Sequence, residues 1–228
     1  MNHLHIQTVI VSEFEQNARL LTDHDTQTSV IIDPGVDTDQ LIPSSTRVTD
    51  IVITHAHIDH AGGVATLAPR LNCSVIAHSL AEVVGSFIHD LGVQYGLPEG
   101  KYQNLPVPTT IVDHGDTIKI GSINAQVFHV PGHSPDHIVL FFDHVNLTID
   151  GEVGLTAHKG PVLIGGDTLF NGSIGRTDLP GGNHDQLIQH IRDRLWPLPD
   201  ETIVLTGHGP FTTIGREKKT NPFLTRLL

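Results

Sequence analysis

Short apolar runs rich in β-branched residues recur along the chain and alternate with segments of helical spacing. The runs predict strands over residues 6–11, 28–33, 50–54, 74–77, 110–112, 117–120, 123–130, 137–142, 162–166 and 202–206. Helical spacing predicts helices over 62–71, 79–95 and 184–195, with a short one near 215–219. The first and third helices fit strand-then-helix units, so part of the sheet should be parallel or mixed; the early and middle stretches read as β-meander. No repeat, low-complexity tract or linker interrupts the pattern, and a single domain over residues 1–228 is expected.

Two stretches are ambiguous. In the helix around 80–95, Val83, Val84, Phe87, Ile88 and Leu91 fall at helical spacing. Core packing explains such a stripe; a lid or dimer face at the mouth of a site is the alternative. Residues 143–160, DHVNLTIDGEVGLTAHKG, read as an exposed hairpin with no catalytic part.

Charge narrows the function. The formal net charge is −12, which disfavours nucleic acid, because binding phosphates needs a basic surface. No apolar run approaches the roughly 18 residues of a membrane span, and MNHLHIQTVIVSEFEQN lacks the layout of a signal peptide. The single cysteine, Cys73, excludes an internal disulfide and suits a reducing cytoplasm; it reads as a small buried hydrophobe. The compositional anomaly is 17 histidines, which point to metal where they are placed rather than scattered.

They are placed. DIVITH, VFHVPGH, VLIGGD and IVLTGH are four apolar runs that each end in a candidate ligand: His55, His133, Asp167 and His208. A fifth, VIIDPG, ends in Asp33, which reads as a loop-fixing residue rather than a ligand. Functional groups gather where strands end and loops begin. In THAHIDHAGG, residues 54–63, His55 and His57 are two apart, which on a helix would point them in different directions. In a loop leaving a strand both can reach one ion, while Asp59 and His60 face a second. His133 can close the first site, His208 the second, and the two oxygens of Asp167 can bridge them. Imidazole and carboxylate donors suit zinc first, with iron or manganese as alternatives. Two divalent ions retain excess positive charge after Asp59 and Asp167 are counted. Such a site brings the pKa of a bridging water toward about 7 and supplies a hydroxide nucleophile.

At this point the motifs resemble those of the metallo-β-lactamase superfamily, in order and spacing across residues 54–209. The resemblance implies a four-layer αββα sandwich, two mixed β-sheets face to face with helices outside and the metals at one edge. Within the superfamily the chain is similar to the short bacterial members of the glyoxalase II group, the hydroxyacylglutathione hydrolases. FEQNARLL, VIIDPG, HGDTIKIG, GDTLFNGSIGRTDLPGG and TTIGREKKTNPFL carry that likeness from about Phe14 to Leu224. It implies one metal on His55, His57, His133 and Asp167, and another on Asp59, His60, His208 and Asp167. It further implies thioester hydrolysis of a glutathione-based small molecule, such as S-lactoylglutathione, to glutathione and lactate, by a monomer or homodimer. Asp59 and Asp167 are then the protein's catalytic groups at the metal-bridging hydroxide. Arg176 stands where longer relatives place a lysine that holds glutathione, and can serve a carboxylate; an ion pair with Asp178 is the competing reading, and both residues are candidates for substrate binding. The sequence ends at Leu228, where longer relatives continue into a helical region with glutathione contacts. Asp136 in PGHSPDH occupies a position where glycine is common, and His137 reads as a supporting group rather than a ligand.

Other functions fit the same ligands, among them an acyl-homoserine lactone hydrolase, against which the GRTDLPGG and TNPFL stretches argue. A persulfide dioxygenase of this fold would hold one iron on His55, His133 and Asp167, as a facial triad. A non-catalytic metal-binding protein is a further alternative, and the intact ligand set argues against it.

Overall fold

A computed structural model describes residues 2–42 and 47–225. The expected runs become strands: β1 (His3–Val11), β2 (Gln16–Asp23), β3 (Thr28–Ile32), β4 (Arg47–Val52), β5 (Ser74–Ala77), β6 (Thr110–Ile111), β7 (Thr117–Ile120), β8 (Ile123–His129), β9 (Ile138–Asp150), β10 (Ala157–Gly166), β11 (Leu169–Phe170), β12 (Ser173–Ile174), β13 (Ile203–Thr206) and β14 (Thr212–Thr213). The helices are α1 (Ile58–Ala61), α2 (Val64–Leu71), α3 (Ala81–Gly85), α4 (Ile88–Gln94), α5 (His184–His190), α6 (Ile214–Thr220) and α7 (Pro222–Thr225). A π-helical turn, Ile191–Leu195, extends α5. Among the described residues no helix is long and apolar enough to cross a membrane.

The main ladder runs in the order β14-β13-β10-β9-β1-β2-β3-β4-β5-β6, with β8 added to β9 and β7 to β8; β11 and β12 form a separate ribbon. The neighbours from β3 to β6 are parallel, as are β10 with β13 and β1 with β9. Packing divides this ladder into two sheets. Leu4, Leu21 and Val30 from one half share a central core with Val127, Phe142 and Ile164 from the other. On one outer face Ile51, Ile53 and Val75 pack under Ile58, Leu67 and Ile88 of the first helices. On the opposite face Val139, Leu163 and Val204 pack under Leu187, Ile214 and Leu224. The layers are therefore helix, sheet, sheet, helix, the αββα sandwich expected from the motifs.

The stretch 143–160 is a hairpin but not an exposed one, and here the expectation is corrected. β9 changes partner along its length: residues 138–141 pair with β8, and 146–150 pair with β1. Val145, Leu147, Ile149 and Leu155 are buried in the central core. The hairpin's tip sends Glu152 inward to a buried ion pair, 2.8 Å from Arg19 of β2. This segment is the splice between the two sheets.

Two further differences have local causes. The strand β2 was not expected, because Gln16, Asn17, Arg19, Thr22 and Asp23 break any apolar alternation; all eight of its residues are buried. The helix expected over 79–95 is two short ones. At Gly85 a Cβ would lie 2.5 Å from Leu105 Cβ, so the backbone there is pressed against its neighbour. Ile88 is buried and Val84 and Leu91 are half-buried against the outer core, whereas Val83 (63%) and Phe87 (56%) face solvent. Core packing accounts for part of that stripe only.

Candidate metal centre

The residues that follow β3, β4, β8, β10 and β13 converge at one edge of the sandwich. After β4 the chain runs through Ile53 and Thr54, both buried, to His55. Asp33, just after β3, anchors this loop. Its Oδ1 accepts the Thr54 N–H at 2.7 Å and its Oδ2 accepts the Thr54 hydroxyl at 2.6 Å. The same Oδ2 lies 3.0 Å from His60 Nδ1, which donates to it and leaves Nε2 with a free lone pair. His55 Nδ1 donates to Thr54 Oγ1 at 3.2 Å, so its Nε2 is likewise free. His133 Nδ1 donates to the Arg176 carbonyl at 2.7 Å with the same result. Three buried histidines are therefore held in the tautomer that aims Nε2 inward.

Two groups of donors result. His55, His57 and His133 bring ring nitrogens within 4.8 Å of one another. Their rings meet at 80°, 80° and 75°, so three in-plane lone pairs approach a common point from different directions. His55 Nε2 and His133 Nε2 are 3.2 Å apart. Asp59, His60 and His208 form the second group, with His208 Nε2 3.0 Å from Asp59 Oδ2 and His60 Nε2 3.6 Å from it. Asp167 stands between them. Its Oδ2 is 3.6 Å from both His133 Nε2 and His208 Nε2, and its Oδ1 is 3.3 Å from His60 Nε2. His60 Nε2 and Asp167 Oδ1 are buried and face each other without the alignment of a hydrogen bond. Two lone pairs 3.2 Å apart and orphaned buried polar atoms are what a cation would satisfy. The donor set fits a pair of divalent ions.

Electrostatics separates the two groups. Burial, with His60, His57, His137 and His133 around it, pushes His55 well below the usual imidazole range. Burial and His133 push His57 down to about 3. Burial alone would also lower His60 and His208, but the carboxylates outweigh it. Asp167 and Asp59 raise His60 well above its ordinary value, and Asp59 and Asp167 raise His208. Burial would raise both carboxyls, yet His60 first, then His208 for Asp59, and His60 then His133 for Asp167, hold them low. Burial thus disfavours the charged form of His55 and His57, while the carboxylates favour it at His60 and His208. At His60 and His208 a metal ion therefore competes with protons for the ring nitrogens. The side of the cluster formed by His57, Asp59 and His208 is part-exposed and gives a reactant access.

The loops approach so closely that side chains are excluded. A Cβ on Gly207 would lie 2.0 Å from Asp167 Oδ1. His137 is buried behind the site; its Nε2 accepts the Asp167 N–H at 2.9 Å. Arg176 is placed differently from a free substrate clamp. Its carbonyl holds His133, while its guanidinium makes a two-pronged ion pair with Asp178, both bonds 2.8 Å, out in solvent. Sequence reasoning missed Thr54 and Asp136 as supports of the ligand loop. A hydroxyl before the first histidine is a possible signal for Thr54; Asp136 has none, because its partner is distant in the chain.

Fold and site define the class. The chain belongs to the metallo-beta-lactamase superfamily, whose model matches residues 12–151 and 144–208, a superfamily of metal-dependent hydrolases. Hydroxyacylglutathione hydrolase GloC of Haemophilus influenzae is 34% identical over 233 residues, covering 97% of this chain and 98% of its own. The crystal structure of BLEG-1 B3 metallo-beta-lactamase aligns with a TM-score of 0.80 at 31% identity, over 96% of this chain and 99% of that one. The crystal structure of TTHA1623 in a di-iron-bound form aligns with a TM-score of 0.73 at 33% identity, over 95% and 99% respectively.

Proposed function

We propose that this chain, as one domain over residues 1–228, hydrolyses the thioester of a hydroxyacylglutathione at a binuclear metal site. The observation that carries the reading is the placing of Asp167 between two complete three-residue donor groups, its oxygens 3.3 to 3.6 Å from His60, His133 and His208. His55, His57, His133 and Asp167 would hold one ion, and Asp59, His60, His208 and Asp167 the other. Bound there, two divalent ions would supply Lewis acidity toward a carbonyl and lower the pKa of water. The donor set suits zinc, with iron or manganese as alternatives.

The chain's own residues do the rest. Asp33 and the Arg176 carbonyl fix the imidazoles, so no reorganisation is needed during reaction. Asp59, part-exposed on the open side, offers a carboxylate oxygen that can accept a hydrogen bond from the attacking water and orient it. Arg176 supports recognition of a carboxylate-bearing thiol carrier. Its partner Asp178 is exposed, and water screens such a pair, so a substrate carboxylate can replace Asp178 at little cost. The similarity to hydroxyacylglutathione hydrolase GloC over nearly the whole of both chains supports the choice of thioester. A single half-buried thiol, Cys73, suits a cytoplasmic setting.

The test is hydrolysis of S-D-lactoylglutathione before chelation, after it, and after zinc or iron is restored. Metal-dependent turnover with kcat/KM of at least about 10⁴ M⁻¹s⁻¹ is expected, the low end of ordinary enzymes. Negligible turnover by fully metallated protein, with oxygen uptake on a persulfide, would replace this reading with that of a mono-iron dioxygenase.

A further inference from the structure

The loop 54–57, which carries His55 and His57, has left its sheet, since β4 ends at Val52. Two of its backbone donors are taken instead by buried carboxylates, one from each half of the sandwich. Asp33 takes the N–H of Thr54. Asp136 takes the N–H of Ala56, at 2.8 Å from Oδ2. The other oxygen of Asp136 accepts the hydroxyl of Ser134, the neighbour of His133, and the whole residue is 1% exposed. Ala56 is flanked by His55 and His57, so this one carboxylate bonds both loops that supply the first donor group. The His133 loop is itself fixed from behind, where His129 Nε2 donates to the Pro135 carbonyl at 2.8 Å.

Proximity of donors is not enough to make such a face, as a second histidine cluster demonstrates. His78, Asp113 and His129 also bring ligand atoms within 4.8 Å of one another. There the two imidazoles stack at 4.0 Å with planes only 16° apart. An ion about 2.0–2.1 Å from a ring nitrogen must lie near the plane of that ring, and two nearly parallel planes that far apart cannot share it. The His78 Nδ1 also accepts the Leu80 N–H, which leaves the proton of a neutral ring on the nitrogen facing Asp113. Between the two clusters the difference is ring orientation, and orientation is set by the loops.

We propose that Asp136 is a positioning residue for the first metal face: it ties the backbone between His55 and His57 to the His133 loop and so holds the three rings near mutual right angles. The assignment rests on the metal reading above. Asp136→Ala removes the tie and orphans the Ala56 N–H. Asp136→Asn keeps it, because the amide oxygen can accept from Ala56 while the amide nitrogen donates to a rotated Ser134 hydroxyl.

The test is competition titration of the metal-free protein with zinc against a chromogenic chelator, which resolves two binding steps without any turnover. In D136A one step should weaken by about 10–100-fold, the usual cost of losing a group that orients a ligand, while the other step stays within about threefold. D136N should restore the weakened step to within about threefold of wild type. Ser134→Ala, which cuts one anchor of the carboxylate without orphaning a donor on the histidine loop, should give the same selective loss to a smaller degree, so the test does not depend on D136A folding. Equal weakening of both steps, no weakening in folded D136A or S134A, or failure of D136N to restore the step overturns the assignment. A wild-type protein that binds no zinc, iron or manganese removes the metal reading itself, and this assignment with it.

Discussion

Adding one methyl group at Gly207 should disable the metal centre while leaving the fold intact. Gly207 sits between β13 and His208, and its φ lies outside the left-handed region, so alanine meets no backbone strain there. The obstacle is the carboxylate of Asp167, the proposed bridge. An added Cβ would stand 2.0 Å from Asp167 Oδ1 and 2.9 Å from His60 Cε1. Real Cβ contacts are essentially never shorter than 3.0 Å, so the oxygen must retreat by 3.0 − 2.0 = 1.0 Å. The backbone cannot retreat in its place, because the Gly207 N–H donates to Gly166 O and its carbonyl accepts from Asn17 N–H, both at 2.7 Å. Metal–ligand distances tolerate only about 0.2 Å, and a misplacement of about 1 Å costs on the order of 100-fold in rate. Overpacking of this size costs about 1–3 kcal/mol of stability, a fall in Tm of several degrees at roughly 2–4 °C per kcal/mol. The expected result is a folded G207A protein with depleted metal after dialysis and kcat/KM reduced about 100-fold or more. Metal content by atomic emission, a thermal melt by circular dichroism and thioester hydrolysis measure the three effects separately. A folded G207A that retains two ions per chain and activity within threefold of wild type would refute the bridging role of Asp167.

Three further perturbations address other parts of the argument. Arg176→Ala should raise KM for a glutathione thioester more than it lowers kcat; an unchanged KM removes Arg176 from the substrate site. Glu152→Ala strands the buried Arg19 guanidinium, 2% exposed, and should cost about 3–5 kcal/mol in urea unfolding; a loss below about 1 kcal/mol would mean water reaches that pair. Asp23 tests a pH dependence. Burial would raise its carboxyl, but the Ser122 N–H and hydroxyl, Asp25 and Thr26 donate to it and bring it from 3.8 down to about 2. The folded value lies below the unfolded one, so the stability it contributes is present above about pH 4 and lost as pH falls through 2. At 1.36 kcal/mol per unit this is about 2 kcal/mol, and the gap between wild type and Asp23→Asn should close between pH 4 and 2; a constant gap would refute the cause.

The sequence by itself determined the strand-end design of this protein. DIVITH, VFHVPGH, VLIGGD and IVLTGH each combine a β-branched run with a donor at its end, and both features are local. Local patterning reports an element whenever one face is wet and the other dry. It failed at β2, which is covered on both faces. Its polar residues are satisfied by groups far along the chain: Arg19 by Glu152, Asp23 by Ser122, Asn17 by the carbonyls of Thr206 and Gly209. It failed again at 143–160, where polar residues alternate with apolar ones that plug the central core. The candidate ligands were legible because metal chemistry restricts them to histidine and aspartate. The orientation of their rings was not. That depends on Asp33, Asp136 and the Arg176 carbonyl, whose bonds to the ligand loops span between 21 and 80 positions of sequence. Only the tertiary structure decided that Arg176 bonds His133 through its backbone while its side chain pairs with Asp178. A residue type constrains what a side chain can donate, and packing against distant elements decides where that donor points.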